Sequence, residues 1–220
     1  SVINMQNSQA SRIMVLVVAY NASSTLVETL DRIPADFRHR ISEIVVADDA
    51  SHDDTFEKGA AWRDQNPDTN TTVIRHLVNR GYGGNQKAGY QMAIDDGFDV
   101  VVLLHADGQY APECIATLVD PIVNGATDAV FGSRMMQRGA ARRGGMPMYK
   151  FVGNKILTKI ENTVLRTDLS EFHSGYRAYS VKALAEIPFQ ANSDGFDFDT
   201  QIIVQLLDVK KRILEVPIPT

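Results

Sequence analysis

Short β-branched, apolar runs recur along the first half of the chain, each flanked by polar turn residues. They are Arg12 to Ala19 (RIMVLVVA), Glu43 to Ala47 (EIVVA), Thr72 to His76 (TVIRH) and Asp99 to Leu104 (DVVVLL). All four are too short for helices and are read as buried strands. Between them, Ser24 to Ile33, Asp53 to Gln65 and Gly83 to Gly97 carry helical spacing, the second opened by a capping-type Asp53. This alternation predicts an α/β fold: a single Rossmann-like, mixed but mostly parallel sheet with helices on both faces. Ligands of such sheets bind beyond the carboxyl ends of the strands. After another strand at Asp128 to Phe131 the alternation weakens. A helix is expected from Met148 to Leu165, then a Gly-Tyr-Arg turn at Gly175, a helix near Val181, another from Asp197 to Val209 and a last strand, Arg212 to Val216. Residues 1–11 read as a disordered leader and 12–220 as one domain, without internal repeat or linker.

The length of 220 residues suits one domain, which at this size buries ~70% of the surface its unfolded chain exposes. The single Cys114 has no partner within the chain and there is no cysteine cluster for zinc, so a reducing, cytoplasmic compartment is expected. No apolar run approaches the ~20 residues of a membrane-spanning helix, and the opening residues lack the pattern of a signal peptide. The net charge of -5 argues against nucleic acid as a partner. Its distribution is uneven. From Ser133 to Ile160 there is no Asp or Glu, while Arg134, Arg138, Arg142, Arg143, Lys150, Lys155 and Lys159 all fall there. That stretch is expected to meet phosphate, on a substrate, a lipid head group or both. The apolar stripe of the Met148 to Leu165 helix is read first as core and second as membrane contact.

Chemistry is sought at the strand ends. The first strand ends in Ala19-Tyr20-Asn21, the second in Asp48-Asp49-Ala50-Ser51, the fourth in His105-Ala106-Asp107-Gly108-Gln109. Each has a plain structural reading, with Asn21 and Ser51 as turn or cap residues and Asp49 as a helix cap. Three polar clusters on one rim point instead to a ligand site. Carboxylates at Asp48 and Asp49 suit a nucleobase N–H or a ribose hydroxyl. Asp107 and Gln109 offer oxygen donors for a cation. If His105 joins them, manganese is favoured over magnesium; alternatively His105 packs or hydrogen-bonds and leaves Asp107 the main ligand. Asn79-Arg80-Gly81-Tyr82-Gly83-Gly84-Asn85 follows the third strand and opens a helix, so its backbone N–H groups are expected to face an anion. A dinucleotide fingerprint belongs after the first strand, where no glycine stands, and no Gly-Lys-Ser/Thr is present for a P-loop.

The segments VVAYN at 17–21, EIVVADDAS at 43–51, NRGYGG at 79–84, VVLLHADGQY at 101–110, FGSR at 131–134, EFHSGYRAYS at 171–180 and EVPI at 215–218 together resemble the family 2 glycosyltransferases of GT-A fold. The likeness spans Ile13 to Thr220 and is strongest to the branch of dolichyl- and polyprenyl-phosphate sugar synthases. It implies an inverting transferase that moves a sugar from a GDP- or UDP-linked donor to a polyprenyl phosphate, using Mn2+ or Mg2+. By the same likeness Ala19, Tyr20, Asn21, Asp48, Asp49, Asn79, Gly83 and Ala106 bind the nucleotide sugar. Asp107, Gln109 and His105 are the metal candidates. Asp107 and Arg134 carry catalysis, Arg134 faces phosphates, and Lys150 and Arg177 lie near the acceptor, with its phosphate, or the donor sugar. The family usually has an acidic residue at His105 and often Glu at Gln201. Relatives of this branch continue past EVPI, so C-terminal truncation is expected.

A polyprenyl phosphate is already anionic and needs no strong base. The enzyme is accordingly expected at the cytoplasmic face of a membrane, with its basic stretch on the anionic surface. A first rival acts on a sugar hydroxyl in cell-envelope polysaccharide synthesis and needs a base, for which Asp197, Asp199 and His173 are candidates. A second, made thinkable by His105 and Gln201, is an idle nucleotide-sugar binding module.

Overall fold

The computed structural model describes residues 10–136, 155, 158, 159, 169, 170 and 174–220. Seven strands form one sheet: β1 (Ile13–Ala19), β2 (Ile41–Asp48), β3 (Thr71–Arg75), β4 (Val100–His105), β5 (Ala129–Ser133), β6 (Arg177–Ser180) and β7 (Ile213–Pro217). Their order is β3-β2-β1-β4-β6-β5-β7, with β6 antiparallel to both neighbours and the other pairs parallel. β1 is central, Val15 standing between Ile44 of β2 and Val102 of β4. The chain steps outward from β1 to β2 to β3, then returns to lay β4 on the other side of β1. That reversal leaves a crevice above the carboxyl ends of β1 and β4, because the connection leaving β1 runs toward β2 and the one leaving β4 runs toward β5, on the other flank.

All seven residues of β1 are buried, so the strand has no polar face. Side chains alternate across a strand. Ile13, Val15 and Val17 enter one core with Leu26, Leu30, Trp62, Ile115 and Leu118, while Met14 and Leu16 enter a second with Tyr90, Ala93, Phe198 and Ile202. Helices α1 (Leu26–Asp31), α3 (Thr55–Gln65) and α5 (Ile115–Val123) therefore cover one face. Helices α4 (Tyr82–Asp95), α6 (Val181–Ala185) and α7 (Phe198–Asp208) cover the other, and the short α2 (Ala35–Arg38) leads into β2.

The alternation read from the sequence stands, with three differences. α3 begins two residues after the expected cap, although the Asp53 carboxylate still accepts the Thr55 N–H at 3.1 Å. The turn expected at Gly175 leads directly into β6, whose first residue is a buried arginine. Helix α5 was not expected, although Ile115, Leu118, Val119 and Ile122 give it an apolar face buried against the sheet. Pro121 lies inside it. The Met148 to Leu165 helix lies outside the described residues apart from Lys155, Thr158 and Lys159, which are helical. The leader falls outside them up to residue 9.

Helix α4, whose first turn reaches the crevice, approaches β1 closely through Gly89. A Cβ there would sit 2.3 Å from Leu16 Cδ2 and 2.9 Å from its Cγ. Gly89→Ala is expected to lower stability by about 1–3 kcal/mol through overpacking, read as a fall in the urea unfolding midpoint. An unchanged midpoint would mean that α4 stands off the sheet.

Candidate active site

The crevice holds a cavity of about 350 Å³ lined by Ala19 and Tyr20 after β1, Asp49 after β2, His105, Ala106 and Asp107 after β4, and Tyr82 at the start of α4. Val18, Ala22, Asn79, Gly81, Asn85 and Phe196 complete its wall. The rims of three strands thus meet as their sequence positions suggested. Ala106 is fixed from beneath, where the Thr25 hydroxyl donates to its carbonyl at 2.7 Å.

The adjacent aspartates diverge. Asp48 is wholly buried and does not line the cavity; its Oδ1 accepts the Ser51 N–H at 3.2 Å and the Ser51 hydroxyl, and its Oδ2 lies 3.6 Å from Arg75 Nε. Ser51 in turn accepts the Asn21 N–H at 2.8 Å, and Asn21 Oδ1 accepts the His52 N–H at 2.9 Å. Asn21 and Ala50 both adopt positive φ, 49° and 58°. The turn roles of Asn21 and Ser51 are therefore present, and they tie the ends of β1 and β2 together.

Asp49 lines the cavity, yet both its oxygens are engaged. Oδ1 accepts the Arg80 N–H at 2.7 Å and Oδ2 the Gly81 N–H at 3.0 Å, while Asn79 Nδ2 donates to its carbonyl at 3.0 Å. Within α4, the Gly83 and Gly84 amides donate to the Asp194 carbonyl at 2.7 and 3.3 Å. This corrects the expectation that residues 79–85 present N–H groups to a bound anion: the anion at this helix start is Asp49 itself. The glycines answer a different need. A Cβ on Gly81 would lie 2.6 Å from the Asp194 carbonyl oxygen, and one on Gly83 2.5 Å from that of Ser193. Gly83 is buried in that contact and does not line the cavity.

His105 is nearly buried between Tyr82 and Tyr110, at ring-centroid distances of 5.8 and 5.2 Å, and its Nε2 donates to the Gly175 carbonyl at 2.9 Å. Only Nδ1 is left for any other partner, so the packing alternative describes its placement. A Cβ on Gly175 would collide with the imidazole at 2.6 Å, which explains the glycine just before β6, the strand that pairs with β4. Tyr110 accepts the Gly175 N–H at 2.9 Å and carries Arg134 over its ring at 5.5 Å, so Arg134 flanks the site through an aromatic stack. Asp107 and Gln109 are exposed, and Asp107 Oδ1 accepts the Gln109 N–H at 3.0 Å. No group of three or more His, Cys, Asp or Glu converges as a metal site among the described residues. A cation here would rely on Asp107 and on ligand oxygens, the usual arrangement for magnesium at phosphates.

Arg177 is a correction. It was expected beside phosphate, but it is wholly buried on β6, donating from Nε to the Ser174 carbonyl at 2.7 Å and from Nη1 to the Asp199 carbonyl at 2.7 Å, over the Phe131 ring at 4.4 Å. Burial alone would lower its pKa; Tyr179 and Asp199 more than offset that and raise it, so the cation persists. Asp199 is buried too, accepting Tyr82 Oη at 2.8 Å and Gln86 Nε2 at 3.3 Å. Burial, then the charge of Asp199, pushes the Tyr82 pKa far up, keeping the hydroxyl a donor. Of the rival base candidates, Asp199 is thus committed, Asp197 is exposed ahead of α7, and His173 lies outside the described residues, as does Lys150. Gln201 Oε1 accepts the Ser193 N–H at 2.8 Å, fixing the loop that meets the α4 glycines.

Sequence reasoning missed a clasp at the base of the basic stretch. Ser133 Oγ and Ser170 Oγ are 2.5 Å apart, and Glu215 accepts the Ser170 N–H and hydroxyl, each at 2.7 Å. The EVPI segment was quoted for family likeness alone, without a role for its glutamate.

The pattern described as glycosyl transferase family 2 matches residues 14–188. The chain belongs to this family. It is 29% identical over 218 residues to a UDP-N-acetylglucosamine–dolichyl-phosphate N-acetylglucosaminyltransferase of Methanococcus voltae, covering 94% of this chain and 85% of that one. It is also 29% identical over 210 residues to an undecaprenyl-phosphate mannosyltransferase of Micrococcus luteus, covering 94% and 82%. Among solved structures, glucosyl-3-phosphoglycerate synthase of Mycobacterium tuberculosis, in complex with Mn2+, uridine diphosphate and phosphoglyceric acid, superposes with a TM-score of 0.68 at 18% identity, covering 94% of this chain and 68% of that one. The glycosyltransferase and its GT-A fold class agree with the resemblance read from the motifs.

Arg177→Ala is expected to cost about 3–5 kcal/mol, because it opens a cavity and strands buried carbonyls. Thermal unfolding measures this. A variant of native stability with only a weakened acceptor KM would return Arg177 to the binding site.

Proposed function

We propose that this glycosyltransferase moves a sugar from a UDP- or GDP-linked donor to the phosphate of a polyprenyl carrier, inverting the anomeric carbon. One observation carries the reading. Asp49 and Asp107 are the carboxylates of the switch-point cavity; both Asp49 oxygens are taken by backbone amides, whereas Asp107 is exposed and has only Oδ1 engaged. Among the described residues, the cavity thus has one carboxylate oxygen available for a cation and no carboxylate left over to serve as a base. That balance suits an acceptor that is already ionised.

Ala19, Tyr20, Asn79 and Ala106 would line the nucleoside side of the donor, with Asn21 and Asp48 supporting the turns behind them. A divalent cation, Mn2+ or Mg2+, held by Asp107 with Gln109 beside it, would supply charge neutralisation at the diphosphate. Arg134, held on Tyr110, adds positive charge at the same edge. An acceptor phosphate oxygen bonds to the anomeric carbon as the bond to the donor diphosphate breaks, and the diphosphate leaves with the electron pair. The names of the Methanococcus and Micrococcus relatives support the polyprenyl phosphate, and the Mn2+ and uridine diphosphate of the mycobacterial complex support the cation. No helix among the described residues is long and apolar enough to cross a membrane. We place the enzyme peripherally, at the cytoplasmic surface that carries its acceptor.

Asp107→Asn is expected to lower transfer by about 10²–10³-fold, the scale lost with an electrostatic catalytic group. Undiminished transfer would remove Asp107 from the reaction. In a panel of UDP-, GDP- and dTDP-sugars, the true donor with manganese should raise thermal stability, by ~2.7 kcal/mol at a hundredfold excess over Kd. If no donor shifts the wild-type unfolding temperature, the donor reading fails.

A further inference from the structure

The most exposed large apolar side chains of the described residues are not scattered. Leu77 is 99% exposed, Phe196 83% and Val78 74%, followed by Tyr20 and Met136. Leu77 and Val78 follow β3, Tyr20 follows β1 and Met136 follows β5, while Phe196 lines the cavity and stacks on Tyr82 at 5.1 Å. All five therefore lie at the edge of the sheet formed by the strands' carboxyl ends, with Tyr20 and Phe196 lining the cavity itself. The other exposed large apolar residues, Val27, Val123, Val209 and Leu214, are each no more than 42% exposed and lie elsewhere.

Leaving a Leu or Val side chain in water forgoes ~1.5–3 kcal/mol of burial, and isolated exposures carry no message. A cluster confined to one functional rim does. A side chain as exposed as Leu77 protrudes, and a protruding tip suits a soft medium better than a flat protein face. The local sequence is Arg75-His76-Leu77-Val78-Asn79-Arg80. Arg75 is held by Asp48 and Glu57, at 3.6 and 3.7 Å. Arg80 is exposed, and its guanidinium forms no ion pair among the described residues. An apolar tip with a cation beside it matches an anionic bilayer, where the tip enters the acyl boundary and the guanidinium stays among phosphates.

We propose that the Leu77–Val78 tip inserts into an anionic lipid surface and, with Phe196 at the mouth, turns the cavity toward the bilayer. This rests on the reading that the acceptor is a lipid phosphate, whose head group lies at that depth.

The experiment uses vesicles of phosphatidylcholine with phosphatidylglycerol and the whole chain. Leu77→Ser/Val78→Ser should weaken vesicle binding about a hundredfold or more, the loss expected for two apolar side chains. Its unfolding temperature and its transfer to a short, water-soluble prenyl phosphate should stay as in wild type. The chain's one tryptophan, Trp62, is buried. A Leu77→Trp variant should therefore gain exposed emission that shifts to the blue on adding vesicles. Equal vesicle binding by wild type and double variant, or an unshifted Leu77→Trp spectrum, overturns the proposal. So does a dimer that the double variant abolishes without any change at vesicles, since a second copy would then cover the tip. Wild-type protein that binds vesicles through the tip but glycosylates no prenyl phosphate refutes the acceptor and leaves the lipid contact standing.

Discussion

The carboxylate of Asp49 is the point on which the site turns. It joins the end of β2 to the start of α4 through two charge-assisted bonds to backbone amides. In many α/β proteins the amino end of such a helix receives phosphate. Here the protein supplies its own anion, and the neighbouring amides close on the Asp194 carbonyl. Any diphosphate in the cavity must find its positive charge elsewhere. That requirement gives weight to Asp107 with a cation and to Arg134 on the far side of the Tyr110 ring.

A second constraint comes from beneath the cavity. Arg177, Asp199, Tyr82 and Gln86 form one buried polar group that links β6, α7 and α4. Partly satisfied networks are costly, and satisfied ones rigidify a core. This one is tied to the cavity wall through Tyr82, which also stacks on His105 and Phe196. Arg177, expected near phosphate, and Asp199, a candidate base for the rival reading, thus hold the wall of the site and stand outside its open space.

The heart of the sheet was legible because β1 and β4 are buried on both faces and so read as unbroken apolar, β-branched runs. The rim was legible too, since polar clusters follow β1, β2 and β4 without interruption. What the chain did not disclose was who approaches whom. The glycines of 79–85 looked like a phosphate loop, because a pattern of glycines reports close approach without naming the neighbour. That neighbour, Ser193 and Asp194, lies more than a hundred residues away. Likewise Asp48 and Asp49 looked equivalent side by side, yet one turns inward to Ser51 and Arg75 and the other toward α4. Strand β6 was hidden by its arginine, whose burial depends on partners from α7, and α5 went unnoticed although its apolar spacing was present.

The serine pair at 133 and 170, gripped by Glu215, ties the start of the basic stretch and a residue past its end to a single anchorage. Closing a loop between fixed ends costs only about 0.6 kcal/mol more for each doubling of its length. The sheet is therefore insulated from whatever is inserted or deleted between those serines. Whatever length of chain runs between positions 133 and 170, β5 and β7 are held together at that point.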